Sequence, residues 1–171
     1  MEPLVDTVIE DARWEGVDLP ALADRAASAT FSALGLAEAG FALCVMGCND
    51  ARIAELNGEF RSKGKPTNVL SFPAWDRSSA VPGMVPDLPE AGDADDPEAL
   101  GDIAISYDTC VRETVEQGKE LSHHVTHLVV HGILHLLGYD HIEDVDAALM
   151  ETTEARILAS LGVDDPYFTD D

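Results

Sequence analysis

The sequence has few basic residues, few cysteines and no long apolar runs. Its 10 lysines and arginines are outnumbered by 33 aspartates and glutamates, which gives a formal net charge of −23. A protein that coats nucleic acid needs the opposite sign of charge, so this class is excluded. A polyanionic substrate remains compatible only with a local basic strip on an otherwise acidic surface.

The cysteines are Cys44, Cys48 and Cys110, and their positions do not have the spacing of a zinc ribbon. We therefore expect free thiols in a reducing cytoplasm, with a Cys44/Cys48 metal pair as the alternative. The apolar runs around 41–47 and 128–137 fall well short of the roughly 20 residues that span a bilayer. The N-terminal stretch is acidic and does not resemble an export signal. These features predict a cytoplasmic protein with no membrane partner.

The chain has 171 residues, 46% of them hydrophobic and 25% charged, which is typical of one soluble globular domain. We expect a single domain over residues 1–171. The segment at about 74–99 carries four prolines and seven acids, so it predicts a flexible acidic insertion. An active-site lid is the alternative interpretation of this segment.

Hydrophobic periodicity and turn residues predict four strands and about five helices. The strands are expected at 4–10, 41–46, 68–72 and 100–107. The helices are expected after a cap at Asp18, after Asn49 or Asp50, after a cap at Asp108, over about 120–137, and from beyond His141 to Gly162. This pattern predicts an α+β fold with a small mixed four-stranded sheet and a metal site at the end of a central helix.

Three histidines, His131, His135 and His141, form the strongest motif in the chain. Positions four apart share one helix face, so His131 and His135 can converge on one ion. His141 can join them only if the helix ends first, and Gly138 can end it because glycine readily adopts the left-handed conformation. Three imidazoles favour zinc, one ion per chain, and leave the fourth tetrahedral position open for catalysis.

The ligand spacing also matches the zinc helix of metzincin proteases, with Gly132 in place of their catalytic glutamate. This replacement argues against proteolysis. His127 lies one turn before His131 on the same stripe, and we favour a structural or supporting role for it over that of a fourth ligand. A local basic strip of Arg52, Arg61, Lys63 and Lys65 falls within fourteen positions that contain only two acids.

Several of these motifs resemble the YbeY family of metal-dependent endoribonucleases. The stretch from His131 to His141, HGILHLLGYDH, is similar to that family's signature with all three histidines present. Further similar blocks are Leu56-Asn57, Arg61, Lys63, Pro66-Thr67, the run VLSFP at 69–73, the run LGDIAIS at 100–106, and Asp165-Pro166-Tyr167. The resemblance covers about residues 41–167. Gly64 and Asn68 depart from it, because acidic residues are expected there, and so does the longer acidic loop.

The resemblance implies a zinc-dependent, single-strand-specific endoribonuclease that matures the 3′ end of 16S ribosomal RNA and takes part in ribosome quality control. It implies single-stranded RNA, ribosomal RNA and the small ribosomal subunit as partners, with ribosomal or ribosome-associated proteins as additional ones. It also implies that Arg61 is catalytic, which suits a planar guanidinium facing phosphate. We expect Lys63 and Lys65 to bind substrate. The alternatives are a metzincin-like metalloprotease and a non-catalytic zinc-containing ribosome-binding module.

Overall fold

The computed structural model describes most of the chain. It covers residues 5–37, 40–61, 66–75, 77, 81, 83–86, 88–93, 95–139 and 143–163, without the side chains of 59–61. Among these residues, every helix is too short or too polar to cross a membrane.

The described residues form four strands, one 3-10 helix and five α-helices. The strands are β1 (Asp6–Ile9), β2 (Phe41–Cys48), β3 (Val69–Pro73) and β4 (Glu98–Ser106). The 3-10 helix is Ala12–Val17, and the α-helices are α1 (Leu19–Leu34), α2 (Asp50–Arg61), α3 (Tyr107–Gln117), α4 (Leu121–Leu136) and α5 (Asp144–Ser160).

The four strands form one mixed sheet in the order β1-β2-β4-β3. β2 runs parallel to both β1 and β4, while β3 is an antiparallel edge strand on β4. Parallel neighbours need crossover connections, and α1 supplies the one between β1 and β2. The predicted α+β fold with a small mixed four-stranded sheet is confirmed.

Helix α4 lies at the centre of the described residues, packed between the sheet and the helices α1, α3 and α5. It contacts α1, α5, β3 and β4, and Val129, Ile133 and Leu134 are fully buried in the main core. A second, smaller core of Cys48, Ile53, Leu70 and Ala104 lies beneath α2. The apolar character of α4 on more than one face, visible in the sequence, follows from this position between neighbouring elements.

Asp18 occupies the predicted N-cap position of α1 but makes no side-chain capping hydrogen bond, and the predicted cap at Asp108 is wrong. Asp18 adopts a left-handed conformation, with φ of 54°, and closes the 3-10 helix through its backbone N–H, so its side chain makes no capping hydrogen bond. Asp108 lies inside the first turn of α3, where its carboxylate accepts from the Asp50 N–H at 3.0 Å and pairs with Arg13 at 2.8 Å. Asn49 caps α2 as predicted, since its side chain accepts from the Arg52 N–H at 2.9 Å.

The described parts of the acidic insertion are attached to the rest of the protein at several points. The N–H groups of Gly92 and Glu98 both donate to the Gly40 carbonyl at 2.8 Å. The Gly83 N–H donates to the Asp146 carboxylate at 2.7 Å, and Arg77 pairs with Glu98 at 2.9 Å. Strand β4 begins at Glu98, two residues before the predicted start. The flexibility of the insertion stays a prediction.

Candidate metal centre

Four histidines lie on one stripe of α4. They are His124, His127, His131 and His135, spaced three or four residues apart, and their successive ring centroids are separated by 6.3, 6.1 and 4.6 Å. The stripe follows from helical geometry, in which residues three or four apart face the same side. It brings ring nitrogens together along one side of a buried helix.

Ring nitrogens of His131 and His135 approach each other closely. Their Nε2 atoms are 3.0 Å apart. Two nitrogens that share a tetrahedral zinc ion at 2.0–2.1 Å lie about 3.3 Å apart by simple geometry. The pair therefore fits two ligands of one ion with only a small adjustment, as expected from the i, i+4 spacing.

A carboxylate from α5 contacts the same stripe. Glu154 is fully buried, with one oxygen against His131 Nδ1 and the other 3.1 Å from His127 Nε2. Ligand atoms of His127, His131 and Glu154 all lie within 4.8 Å of one another, so this group could hold a metal ion. His131 thus faces two possible metal positions, with Nδ1 toward Glu154 and Nε2 toward His135.

The helix ends where the sequence predicts. α4 stops at Leu136, and Gly138 has φ of 104°, a conformation that favours glycine. A Cβ at Gly138 would overlap the Arg77 carbonyl oxygen, so the chain passes close to the insertion at this point. His141, the third predicted ligand, lies outside the described residues.

Gly132 lies between the two converging histidines in sequence but faces the sheet. A Cβ there would come within 3.0 Å of Ile103 Cδ1 and 3.1 Å of Ser71 Oγ. Ser71 Oγ also donates to the Gly132 carbonyl at 3.3 Å. A glutamate, which metzincins carry at this position, would have to displace these side chains, which gives a physical reason for the glycine.

The basic strip is described only in part. Arg61 ends α2 and its side chain is outside the description, as are Lys63 and Lys65 altogether. Arg52 makes ion pairs with Glu10 at 3.3 Å and Glu55 at 3.2 Å, so its charge is partly balanced by acidic neighbours.

Asn68, three residues after Lys65 in the sequence, is connected to the histidine stripe. Asn68 Nδ2 donates to Glu113 Oε1 at 3.0 Å, and the same oxygen lies 2.9 Å from His124 Nε2. Burial lowers the pKa of His124, although the neighbouring Glu113 carboxylate opposes that change. Asn68, which departs from the family pattern, therefore has a structural role in this chain.

Glu154 was missed by the sequence prediction, which assigned the acids of α5 to a solvated face. The available signal is its position: Met150, Ile157 and Leu158, at helical spacing from it, are all buried. An acid within such an apolar stripe indicates a buried carboxylate that must have partners, because an unpaired buried charge is very unfavourable.

The fold and this site define a class: an α+β protein whose central helix carries histidines able to hold a metal ion. A model of the family described as Endoribonuclease YbeY matches residues 9–162. Among the similar curated proteins, Endoribonuclease YbeY of Cereibacter sphaeroides is 68% identical over 98% of this chain and 100% of its own length. The one from Paracoccus denitrificans is 58% identical over 95% of this chain and 89% of its own. This chain belongs to the YbeY endoribonuclease family, as the resemblance implied.

A solved structure shares the fold. The solution structure of TM1509 from Thermotoga maritima matches with a TM-score of 0.57 and 22% identity, over 96% of this chain and 99% of that one. At this identity the likeness supports the architecture alone.

Proposed function

We propose that this chain is a zinc-dependent endoribonuclease specific for single-stranded RNA, a hydrolase of RNA phosphodiester bonds. Its substrate would be the 3′ end of 16S ribosomal RNA, with a further role in ribosome quality control, in the cytoplasm. Membership of the YbeY endoribonuclease family supports the reaction class. The 3.0 Å approach of the His131 and His135 Nε2 atoms is the observation that supports a metal at the site.

In this proposal His131, His135 and His141 hold one zinc ion per chain. Zinc supplies Lewis-acid chemistry: it polarises a phosphoryl oxygen or makes a water molecule more acidic. The side chain of His131 is 21% exposed, so it is accessible from solvent while α4 is packed within the core. A rigid helix suits catalysis because the two imidazoles are already oriented before substrate arrives.

Arg61, Lys63 and Lys65 would bind the RNA backbone. A guanidinium donates two parallel hydrogen bonds to a phosphate, so Arg61 can stabilise the charge that develops on the phosphorus oxygens during cleavage. Lys63 and Lys65 are compact cations suited to neighbouring phosphates. We assign catalysis to Arg61 and substrate binding to the two lysines.

The net charge of −23 bears on how the substrate is presented. Naked RNA is repelled at long range, so we propose that the small ribosomal subunit, with its ribosomal or ribosome-associated proteins, presents the RNA to the site. Salt screens this repulsion but also weakens phosphate contacts. Activity on naked RNA should therefore be low and should peak at intermediate ionic strength.

The test compares the three basic residues in one assay on single-stranded and duplex RNA of the same sequence. Arg61→Ala should lower kcat by about 100-fold or more with little change in RNA affinity, as for loss of a transition-state donor. Lys63→Ala and Lys65→Ala should weaken binding and flatten its salt dependence instead. Equal cleavage of both RNA forms, or unchanged kcat in Arg61→Ala, would contradict the proposal.

A non-catalytic zinc-containing ribosome-binding module is the second candidate. The group of His127, His131 and Glu154 favours it, because the carboxylate side of a metal held there is fully buried. Such a protein would bind the small subunit and zinc normally but would cleave no RNA. A metzincin-like metalloprotease is disfavoured by the lack of space at Gly132.

A further inference from the structure

Glu154 is a buried acid in a helix whose neighbouring acids face solvent. Its side chain is fully buried, whereas Asp144 and Glu151 on the same helix are exposed. Burying a carboxylate without partners is strongly destabilising, so its position must be compensated by specific contacts. Those contacts lie on α4, in the histidine stripe.

Each carboxylate oxygen of Glu154 contacts a different histidine. Oε1 contacts His131 Nδ1, and Oε2 lies 3.1 Å from His127 Nε2. A carboxylate only accepts hydrogen bonds, so the two facing ring nitrogens act as donors. With its proton on Nδ1, neutral His131 has a lone pair on Nε2, the nitrogen that lies 3.0 Å from His135.

The alternative is that Glu154 is itself a metal ligand, together with His127 and His131. Its complete burial argues against a catalytic ion at that position, because no substrate or water could approach from the carboxylate side. The His131 and His127 side chains are 21% and 14% exposed, so solvent reaches the histidine stripe although the carboxylate is buried. Because Glu154 contacts His131 at Nδ1, the accessible metal position lies at the Nε2 atoms of His131 and His135, with the carboxylate behind the His131 ring.

We propose that Glu154 is a positioning residue: it holds His131 in the tautomer and orientation that present Nε2 to the metal, and His127 holds the carboxylate in place. The inference rests on the proposed function for the identity of the ligands. A carboxylate behind a metal-binding histidine raises the basicity of the ring and fixes its direction. Removing such a partner typically weakens metal affinity by about 10-fold to 100-fold.

The test uses Glu154→Gln, with Glu151→Gln as the matched control. Both variants lose one negative charge on α5, but residue 151 is exposed. Zinc affinity is measured by competition with a chelator, and we expect a loss of about 10-fold to 100-fold in Glu154→Gln only. Unchanged affinity in Glu154→Gln would overturn the proposal, as would an equal loss in the control.

A second measurement separates positioning from ligation. Cobalt(II) in place of zinc reports its ligands through visible absorption, and the saturated spectrum of Glu154→Gln should match that of the wild type. A changed spectrum or lost stoichiometry would make Glu154 a ligand and would refute the positioning role.

A third measurement needs no metal. The ¹⁵N chemical shifts of His131 in the metal-free protein should show a proton on Nδ1, and that fraction should fall in Glu154→Gln. If the wild type binds no zinc but this shift is seen, the proposed function fails while the contact role of Glu154 stands. His127→Phe, which removes the donor to Oε2, should change the tautomer in the same direction; no change in either variant would overturn the inference.

Discussion

Gly132 offers a quantitative test of how α4 lies on the sheet. In Gly132→Ala the new methyl group would meet Ile103 Cδ1 at 3.0 Å and Ser71 Oγ at 3.1 Å. Overpacking of this kind costs about 1–3 kcal/mol, while alanine in place of glycine favours a helix by about 1 kcal/mol. The net loss of stability should be about 0–2 kcal/mol. At about 2–4 °C per kcal/mol for a chain of this size, Tm should fall by no more than about 8 °C.

Gly132→Glu is a stronger perturbation, because it introduces the glutamate that metzincins carry at this position. The longer side chain must enter the contact with Ile103, or the helix must move away from the sheet. A buried carboxylate without partners adds several kcal/mol, a large part of the 5–15 kcal/mol that typically stabilises a domain. We expect a protein that is unfolded or nearly so at 37 °C by circular dichroism.

The matched control is Gly16→Ala, since a Cβ at Gly16 meets no atom within 4 Å. Its Tm should equal that of the wild type or exceed it. Wild-type stability in Gly132→Glu would refute the close approach of α4 to the sheet. Peptide cleavage by that variant when loaded with zinc would restore the metalloprotease hypothesis.

Three further predictions concern burial and backbone conformation. Burial raises the pKa of the Cys48 thiol to about 12 and also raises the pKa of the Cys110 thiol. Both thiols should therefore react with a thiol reagent only when the protein unfolds. Rapid labelling of the native protein would contradict their burial. Burial lowers the pKa of His124 below its usual 6.5, so the unfolded state binds more protons below that pH and stability should fall as the pH drops through this range. Urea unfolding at several pH values should show that the free energy of unfolding depends less on pH in His124→Gln than in the wild type. An unchanged pH dependence would exclude His124 as its source. Gly138→Ala combines a positive φ with overlap of a carbonyl oxygen, so it should lower the free energy of unfolding by about 1–3 kcal/mol in the same assay. The loss should exceed that in Gly162→Ala, where the φ is also positive but a Cβ meets no atom within 4 Å. Equal losses would contradict the close contact at Gly138.

Local patterns in the sequence were sufficient for most of the fold. The alternation and β-branching of the strands predicted the sheet, and the glycine at 138 predicted the end of α4, because both depend on near neighbours in the chain. The left-handed backbone of Asp18 and the side-chain role of Asp108 were not predictable in this way. The carboxylate of Asp108 finds its partners on Arg13 and Asp50, which are far away in sequence.

Local sequence patterns predict the metal site only in part. The convergence of His131 and His135 follows from helical spacing alone, and the structure shows it as a 3.0 Å separation. Glu154 contacts His131 only because α5 packs against α4. The two residues are 23 positions apart, and no local pattern in the sequence indicates such a contact. A buried acid on an apolar helix face was the one sequence signal, and it indicates burial without naming the partner.

In the proposed catalytic site, His131 and His135 hold a zinc ion through their Nε2 atoms. Anomalous X-ray scattering at the zinc edge, on crystals of the zinc-loaded protein, locates the ion directly. We expect one zinc within about 2.0–2.1 Å of both Nε2 atoms, with its coordination completed by His141 and one non-protein ligand. An ion bound instead between His127, His131 Nδ1 and Glu154, or one with four protein ligands, would contradict it.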